Sequence, residues 1–265
     1  MQVSPEPVSQ SAPEVKTARP GPALSIIIPC YNERGNIEPL FNGVARAVNR
    51  YDWELIFVDD NSPDGTIDEV WRLAQMDSRV RGILRVGRRG LSSAVIEGIL
   101  SSSAPVVAVM DGDLQHDETL LEQMADAITR NGYDVAIGSR HVEGGDNSGL
   151  ANSWRLFLSN AGIRLAQFCL PVRVKDPMSG FFAARRDLFV QSVSDLSGTG
   201  FKILLDMLMV QKTSPKVIEL PFVFRTRNVG ESKMDRKVLF QFAHMIVHHM
   251  LRKNSRVSRL PSSGR

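Results

Sequence analysis

Val-Val-Ala-Val-Met-Asp-Gly-Asp-Leu-Gln-His-Asp-Glu, residues 106–118, decides how the chain is read. Five apolar residues run unbroken from Val106 to Met110, the pattern of a strand covered on both faces of a parallel sheet. The run stops on Asp111-Gly112-Asp113, where the chain leaves the sheet. Carboxylates at i and i+2 of an extended segment point to opposite faces. Gly112 permits a bend that turns both toward one point beyond the strand's carboxyl end, where open α/β sheets bind ligands. Two hard oxygen ligands there suit Mg²⁺ or Mn²⁺ carrying a phosphorylated substrate. The alternative is an Asx turn whose carboxylates only cap the next helix.

The flanking sequence repeats the theme. Leu24–Pro29 reads as a strand that Pro29 ends, followed by Cys30-Tyr31-Asn32-Glu33 and a helix with Ile37, Leu40, Phe41, Val44 and Val48 on one face. Trp53–Val58 is a second strand, ending on Asp59-Asp60-Asn61-Ser62-Pro63-Asp64-Gly65-Thr66 before a helix over 67–77. A third strand is expected over 80–86. A helix follows over 90–100, with Ser92 or Ser93 available as its cap. After the organising strand come a helix over 120–130 and a strand over 135–138 that ends on Ser139-Arg140. This alternation predicts a doubly wound, mostly parallel α/β sheet. Further on, an amphipathic helix is expected over 152–170. A return through Phe181-Phe182-Ala183 leads to a helix over 201–211 and a strand over 217–224. The last element is a helix over 238–251 with one broad apolar face.

Composition narrows the class. Hydrophobic residues at 43% and charged residues at 23% are ordinary for a water-soluble globular chain, and no apolar run reaches the roughly 18 residues of a membrane span. Residues 1–22 hold five prolines and no apolar core, so they read as a disordered arm ahead of a domain over 23–251. The net charge of +3 misleads, because residues 252–265 alone carry Arg252, Lys253, Arg256, Arg259 and Arg265 with no acid. The arm balances to zero, so the domain itself is slightly acidic and the tail is basic. Such a tail suits an anionic membrane surface or nucleic acid, or is a solvated end. Cys30 and Cys169 show no CxxC spacing and read as free thiols. GxGxxG after the first strand, GxxxxGK[ST], HExxH and Gly-x-Ser-x-Gly are all missing. His244 and His248 stand at i, i+4 without the further ligands a zinc site needs.

Taken together, Ile-Ile-Ile-Pro-Cys-Tyr-Asn-Glu (26–33), Val-Asp-Asp-Asn-Ser-Pro-Asp-Gly-Thr (58–66) and Asp-Gly-Asp-Leu-Gln-His (111–116) resemble the inverting glycosyltransferase family 2, with its GT-A fold. Ile-Gly-Ser-Arg (137–140), Asp-Pro-Met-Ser-Gly-Phe-Phe (176–182) and Arg-Asn-Val-Gly-Glu-Ser-Lys (227–233) bring the resemblance closer to the dolichol- or polyprenol-phosphate mannosyltransferases. The resemblance implies that Pro29, Tyr31 and Glu33 line the nucleotide pocket and that Val58 and Asp60 hold the base. Asp111, Asp113 and Gln115 would surround Mg²⁺ or Mn²⁺, with Gly112 beside the sugar nucleotide. Arg140, Arg227 and Lys233 would contact the phosphates, and Arg155 and Ser159 would cradle the lipid phosphate.

The implied partners are a nucleotide-diphospho-sugar donor, a polyprenyl or dolichyl phosphate and the cytosolic face of a membrane. That membrane would be touched peripherally or through a small membrane subunit, and no nucleic acid is implied. Departures from the family pattern are Ser92 in the Gly-Leu-Gly turn, Val229 for an aromatic, and Asp117-Glu118 for prolines; these bear on acceptor and sugar preference. A UDP-sugar donor is the nearest alternative. A haloacid-dehalogenase-like phosphohydrolase, which also ends a strand on Asp-x-Asp, wants Thr or Val where this chain has Gln115.

Overall fold

The computed structural model describes residues 21–143, 170–198 and 200–223. The expected helices over 152–170 (to residue 169) and 238–251, the N-terminal arm through residue 20 and the basic tail lie outside these residues, as do Arg155, Ser159, Arg227 and Lys233. The described elements run β1 (Leu24–Cys30), α1 (Arg34–Ala47), β2 (Trp53–Asp59), α2 (Thr66–Met76), β3 (Val80–Leu84), α3 (Leu91–Ser101), β4 (Val106–Val109), α4 (Leu120–Thr129), β5 (Val135–Ser139), β6 (Phe182–Arg185), α5 (Arg186–Ser192), α6 (Ile203–Met209) and β7 (Val217–Pro221).

The strands form one seven-stranded sheet in the order β3-β2-β1-β4-β6-β5-β7. All neighbours are parallel except β6, which is antiparallel to β4 and β5. Side-chain alternation along the strands separates two cores. Leu24, Ile26, Ile28, Leu55, Phe57 and Ala108 pack under α1, α2 and α4. Ile27, Ile56, Val58, Val107 and Val109 pack under α3, α5 and α6. Each of these strand side chains is at most 1% exposed, and each is worth about 1.5–3 kcal/mol if large. α3 crosses β1 closely at Gly98, where a Cβ would lie 2.4 Å from Ile27 Cγ2. The unbroken apolar runs therefore mean what the sequence implied: each central strand has a helix layer on both sides.

Several boundaries differ from expectation for identifiable reasons. β1 continues past Pro29 to Cys30. Ile27 O accepts the Met110 N–H, so the 27 and 29 peptides face β4, whose pairing with β1 stops at Ile27–Val109. The missing N–H of Pro29 thus faces a side where no ladder remains. α3 is not capped by Ser92 or Ser93. Its N-cap is Gly90, at φ 141, while Ser93 Oγ donates back to Gly90 O and Ser92 Oγ to Gly200 O. α5 was not expected, because seven residues are too few to show a helical period.

The chain lays down β1, β2 and β3 in one direction across the sheet and then returns to place β4 on the other side of β1. The loops after β1 and β4 therefore diverge, which opens a crevice at the strands' carboxyl ends. Among the described residues, the non-glycine residues with positive φ are Asn32, Asn61 and Leu114. They sit in the loops following β1, β2 and β4. Left-handed backbone is inexpensive for Asn but costs about 1–3 kcal/mol for a residue like Leu, and such strain gathers where a loop is shaped for a ligand.

Candidate active site

The loop after β4 turns differently from the sequence reading. Gly112 is not among the glycines with positive φ; the left-handed residue is Leu114, at φ 63. Asp113 does form an Asx turn, its Oδ1 accepting the Gln115 N–H at 3.2 Å. Just ahead of α4, Asp117 Oδ1 accepts the Thr119 N–H at 3.2 Å. A Cβ on Gly112 would meet Cys30 Sγ and Glu33 Cγ at 3.6 Å, so this turn lies against the loop after β1.

His116 organises the aspartates. It is 2% exposed, stacks on Phe181 at 4.9 Å and meets the edge of Phe222 at 5.7 Å. Burial pushes its pKa down to about 4 against the pull of Asp113, so the ring is neutral. Nδ1 accepts the Asp111 N–H at 3.1 Å, which puts the ring proton on Nε2, 3.8 Å from Asp111 Oδ2. Asp111 thus sits beside the imidazole, with the Asp113 charge within electrostatic reach of it. Gly180 approaches from the other side, where a Cβ would lie 3.0 Å from Asp111 Oδ2.

Two basic side chains, Arg140 and Lys202, lie near this turn. Arg140, just past β5, is held by Asp176 through Nε at 2.9 Å and Nη2 at 3.1 Å, a two-point grip that fixes the guanidinium plane. Asp176 is fully buried. It is placed by β7, whose Glu219 carboxylate accepts the Lys175 and Asp176 N–H groups at 2.7 and 2.9 Å. Ser179 Oγ donates to Gly138 O at 2.7 Å and locks the 176–181 segment onto β5. Lys202, just ahead of α6, donates Nζ to Met178 O at 3.2 Å. Burial lowers its pKa, as does Arg140, while Asp111 and Asp176 pull it back up. Lys202 therefore lies within electrostatic reach of Asp111, Arg140 and Asp176. The loop that carries it is pinned by buried Asp206, which accepts from Ser197 N–H and Oγ.

The loops after β1 and β2 make the other half. Glu33 N–H donates to Thr66 Oγ1 at 3.0 Å and Glu33 Oε2 accepts from Asn36 Nδ2 at 2.5 Å. Ser62 Oγ donates to Asp59, which is fully buried. Asp60, 8% exposed, is bound through Oδ1 to Arg85 Nη1 at 2.6 Å and through Oδ2 to the Gly90 N–H at 2.7 Å. Arg89 lies over the Tyr31 ring at 4.6 Å and donates to its hydroxyl at 3.1 Å. Burial, and then Asp59 and Glu33, hold the Cys30 thiol well above its ordinary pKa, so it is an inert thiol rather than a nucleophile.

Pro29, Tyr31, Glu33, Asp60, Asp111, Gly112, Asp113, Gln115 and Arg140 therefore all lie on one edge of the sheet. Val58 differs: its side chain is fully buried beneath α3, where a Cβ on Gly98 would lie 3.1 Å from its Cγ2, so only its main chain can serve the rim. The sequence reading missed Arg85, Arg89, His116, Asp176 and Lys202 as site residues. Asp176 and His116 sat inside quoted motifs and Arg85 is a charge closing an apolar run, whereas nothing in the local sequence marks Lys202.

The sequence profile of "Glycosyl transferase family 2" matches residues 25–192. The chain belongs to this family. Its sheet is that of a family 2 glycosyltransferase, and the relatives it is similar to carry the name of the expected subgroup. It is 42% identical over 232 residues to a dolichol-phosphate mannosyltransferase of Pyrococcus furiosus, covering 86% of this chain and 63% of that protein. It is 34% identical over 232 residues to a dolichol-phosphate mannosyltransferase of Saccharomyces cerevisiae, covering 84% and 85%. Two solved structures share the GT-A fold. Glucosyl-3-phosphoglycerate synthase of Mycobacterium tuberculosis, bound to Mn²⁺, UDP-glucose and phosphoglyceric acid, gives a TM-score of 0.59 at 20% identity over 86% of this chain and 80% of that one. A mannosyltransferase of Pyrobaculum calidifontis, bound to GDP-mannose and Mn²⁺, gives 0.57 at 18% identity over 89% and 65%.

Proposed function

We propose that this family 2 enzyme transfers mannose from GDP-mannose to the phosphate of a polyprenyl or dolichyl lipid, with inversion at the anomeric carbon. The observation that supports the reading is the nearness of Asp111, Arg140 and Lys202, with Asp113 in the same turn, where the strands of the sheet end. The names of the two relatives supply the sugar and the acceptor class.

The donor set fits a divalent cation. Among the described residues no group of three or more His, Cys, Asp or Glu side chains forms a metal cluster. Asp111, Asp113 and the amide oxygen of Gln115 would therefore hold Mg²⁺ or Mn²⁺ together with oxygens of the substrate, as hard-cation sites in phosphate-transfer enzymes do. Bound there, the cation neutralises the diphosphate and eases its departure. Gly180 fits this picture, since it leaves the Asp111 carboxylate the room that a side chain would take.

The chain's own residues do the rest. The nucleophile is a phosphate oxygen, already ionised at neutral pH, so no general base is required. His116 could not supply one without breaking its bond to the Asp111 N–H. Arg140 and Lys202 offset the repulsion between acceptor phosphate and donor diphosphate, and Asp176 keeps Arg140 aimed. Such preorganised charge lowers the barrier mainly through position and electrostatics. Tyr31 under Arg89, Glu33 and Asp60 form the nucleotide side. By the family resemblance, Arg155, Ser159, Arg227 and Lys233 would complete the phosphate contacts, with Arg155 and Ser159 on the acceptor.

Among the described residues no helix is long and apolar enough to cross a membrane. The lipid acceptor places the enzyme at a bilayer surface, and the water-soluble donor places it on the cytosolic face. The apolar segment 238–251, expected from its sequence to be helical, and the basic residues after it would provide peripheral attachment, directly or through a membrane subunit. The test is to offer GDP-mannose or UDP-glucose, each labelled in the sugar, with Mn²⁺ and a polyprenyl phosphate. Label from GDP-mannose should enter the organic phase and be lost in Asp113→Ala, with the fold kept by circular dichroism. Label moving only from UDP-glucose would replace the donor, and undiminished transfer by Asp113→Ala would remove the metal site from the reaction.

A further inference from the structure

Among the described residues Arg85 is the largest fully buried side chain, at 1% exposure, and a buried guanidinium is expensive unless every donor is used. Here the use is uneven. Nη1 reaches Asp60 Oδ1 at 2.6 Å and Gly90 O at 3.1 Å, and Nη2 reaches Ser93 Oγ at 2.7 Å. Nε lies 3.2 Å from Glu97 Oε2 but out of hydrogen-bond alignment, and it is the buried side-chain nitrogen left without a hydrogen bond among the described residues. A Met of similar length would fill this space without that cost. What Arg85 does that Met cannot is grip Asp60.

We infer that Arg85 is a positioning residue for nucleotide-base choice: with the Gly90 N–H it locks the Asp60 carboxylate in the orientation that accepts two adjacent N–H donors from guanine. The inference rests on the reading, proposed above, that Asp60 faces the base. Each carboxylate oxygen has two acceptor directions. Arg85 occupies one on Oδ1 and Gly90 one on Oδ2, so rotation of the carboxylate is blocked and one acceptor direction per oxygen is held in register. Guanine offers N1–H and the 2-amino N–H side by side and can use both. Uracil offers a single N–H flanked by two carbonyls, and a fixed carboxylate would set its second oxygen against one of them. The backbone is shaped for the same end. Gly90 is at φ 141, a conformation other residues rarely adopt, and there it both donates to Asp60 and accepts from Arg85. The Arg85 N–H, bonded to Asp59 O at 2.9 Å, ties β3 to the residue before Asp60.

The experiment is calorimetric titration of the full chain, in Mn²⁺, with GDP, inosine diphosphate (which lacks the 2-amino group) and UDP. The wild-type protein, Arg85→Lys, Arg85→Gln and Asp60→Asn are compared, and thermal unfolding reports folding separately. The diphosphate and metal contacts are common to all three ligands, so a purely structural defect weakens them alike. The expected result is that wild type favours GDP over the inosine nucleotide by roughly tenfold or more, the worth of a hydrogen bond to a charged acceptor. In Arg85→Gln the ratio should fall toward one, and in Arg85→Lys part of the way, because an ammonium cannot reach Asp60, Gly90 and Ser93 together. An unchanged ratio in Arg85→Gln, or in Arg85→Lys should the glutamine variant not fold, overturns the inference. If Asp60→Asn also leaves the ratio unchanged, the failure lies with Asp60 as the base contact. If Asp60→Asn collapses the ratio while the Arg85 variants keep it, only the role of Arg85 fails.

Discussion

Gly180→Ala isolates the Asp111 carboxylate more cleanly than removing it would. Gly180 is not among the positive-φ glycines, so its backbone accepts alanine without strain. The new Cβ would lie 3.0 Å from Asp111 Oδ2, 3.4 Å from Oδ1 and 3.5 Å from Cγ. Ordinary contact begins near 3.4 Å, so the carboxylate must retreat by about 0.4 Å from its nearest oxygen's present position. A misplacement of about 1 Å at a reacting centre costs on the order of a hundredfold in rate, so the smaller shift should lower kcat/KM roughly tenfold. Stability should change by less than about 0.5 kcal/mol, because no core contact is lost. The assay is transfer of label from GDP-mannose to polyprenyl phosphate across a Mn²⁺ titration, beside thermal unfolding. The half-saturating Mn²⁺ concentration should rise together with the loss of rate. Full activity with an unchanged Mn²⁺ curve would show that the position of Asp111 does not matter to the reaction and would refute the metal assignment.

Other outcomes follow from neighbouring contacts. Asp176→Asn removes the charge that holds Arg140 at two points. It should cost about 3 kcal/mol of stability in urea unfolding and lower kcat/KM at least tenfold; an unchanged rate would separate Arg140 from the phosphates. Lys202→Met should reduce kcat/KM by roughly ten- to a hundredfold, the scale for losing one charged contact, while circular dichroism stays native. Retained activity there would leave Lys202 a structural donor to Met178. Asp64 ties the loop after β2 to α2 by accepting from Thr66 N–H at 3.0 Å, Thr66 Oγ1 at 2.6 Å and Arg34 N–H at 3.2 Å. Burial pushes its pKa up, but the bonds from Thr66 and Arg34 outweigh this and hold it low. The stabilisation is therefore present above the unfolded pKa of about 3.9 and is lost as the pH falls through the folded value. Asp64→Ala should cost about 1 kcal/mol at pH 7, and the gap to wild type should narrow as the pH drops below about 4. A gap independent of pH would refute that cause.

The sequence by itself determined the layers of the fold and the edge of the sheet that carries the candidate site. Both are written in short-range patterns: unbroken apolar runs in Ile26–Ile28, Leu55–Val58 and Val106–Met110, each ending on polar loops that can reach only the strand's carboxyl end. It also marked Asp111, Asp113 and Asp60, because carboxylates at the close of an apolar run are conspicuous. What it could not determine was what each charge faces. Asp60 meets Arg85 across 25 residues, Arg140 meets Asp176 across 36, and Lys202 reaches the carbonyl of Met178 across 24. The first depends on β2 and β3 lying side by side in parallel, and the others on the segment that leads into antiparallel β6 and is anchored by Glu219 of β7. The turn after β4 is a similar case, since the left-handed residue proved to be Leu114 and not Gly112. Local propensity favours glycine there, but the packing of His116 between Phe181 and the Asp111 backbone overrides it. Periodicity and turn chemistry are properties of neighbours in the chain, whereas electrostatic partnership is a property of neighbours in space, and only the folded sheet brings those together.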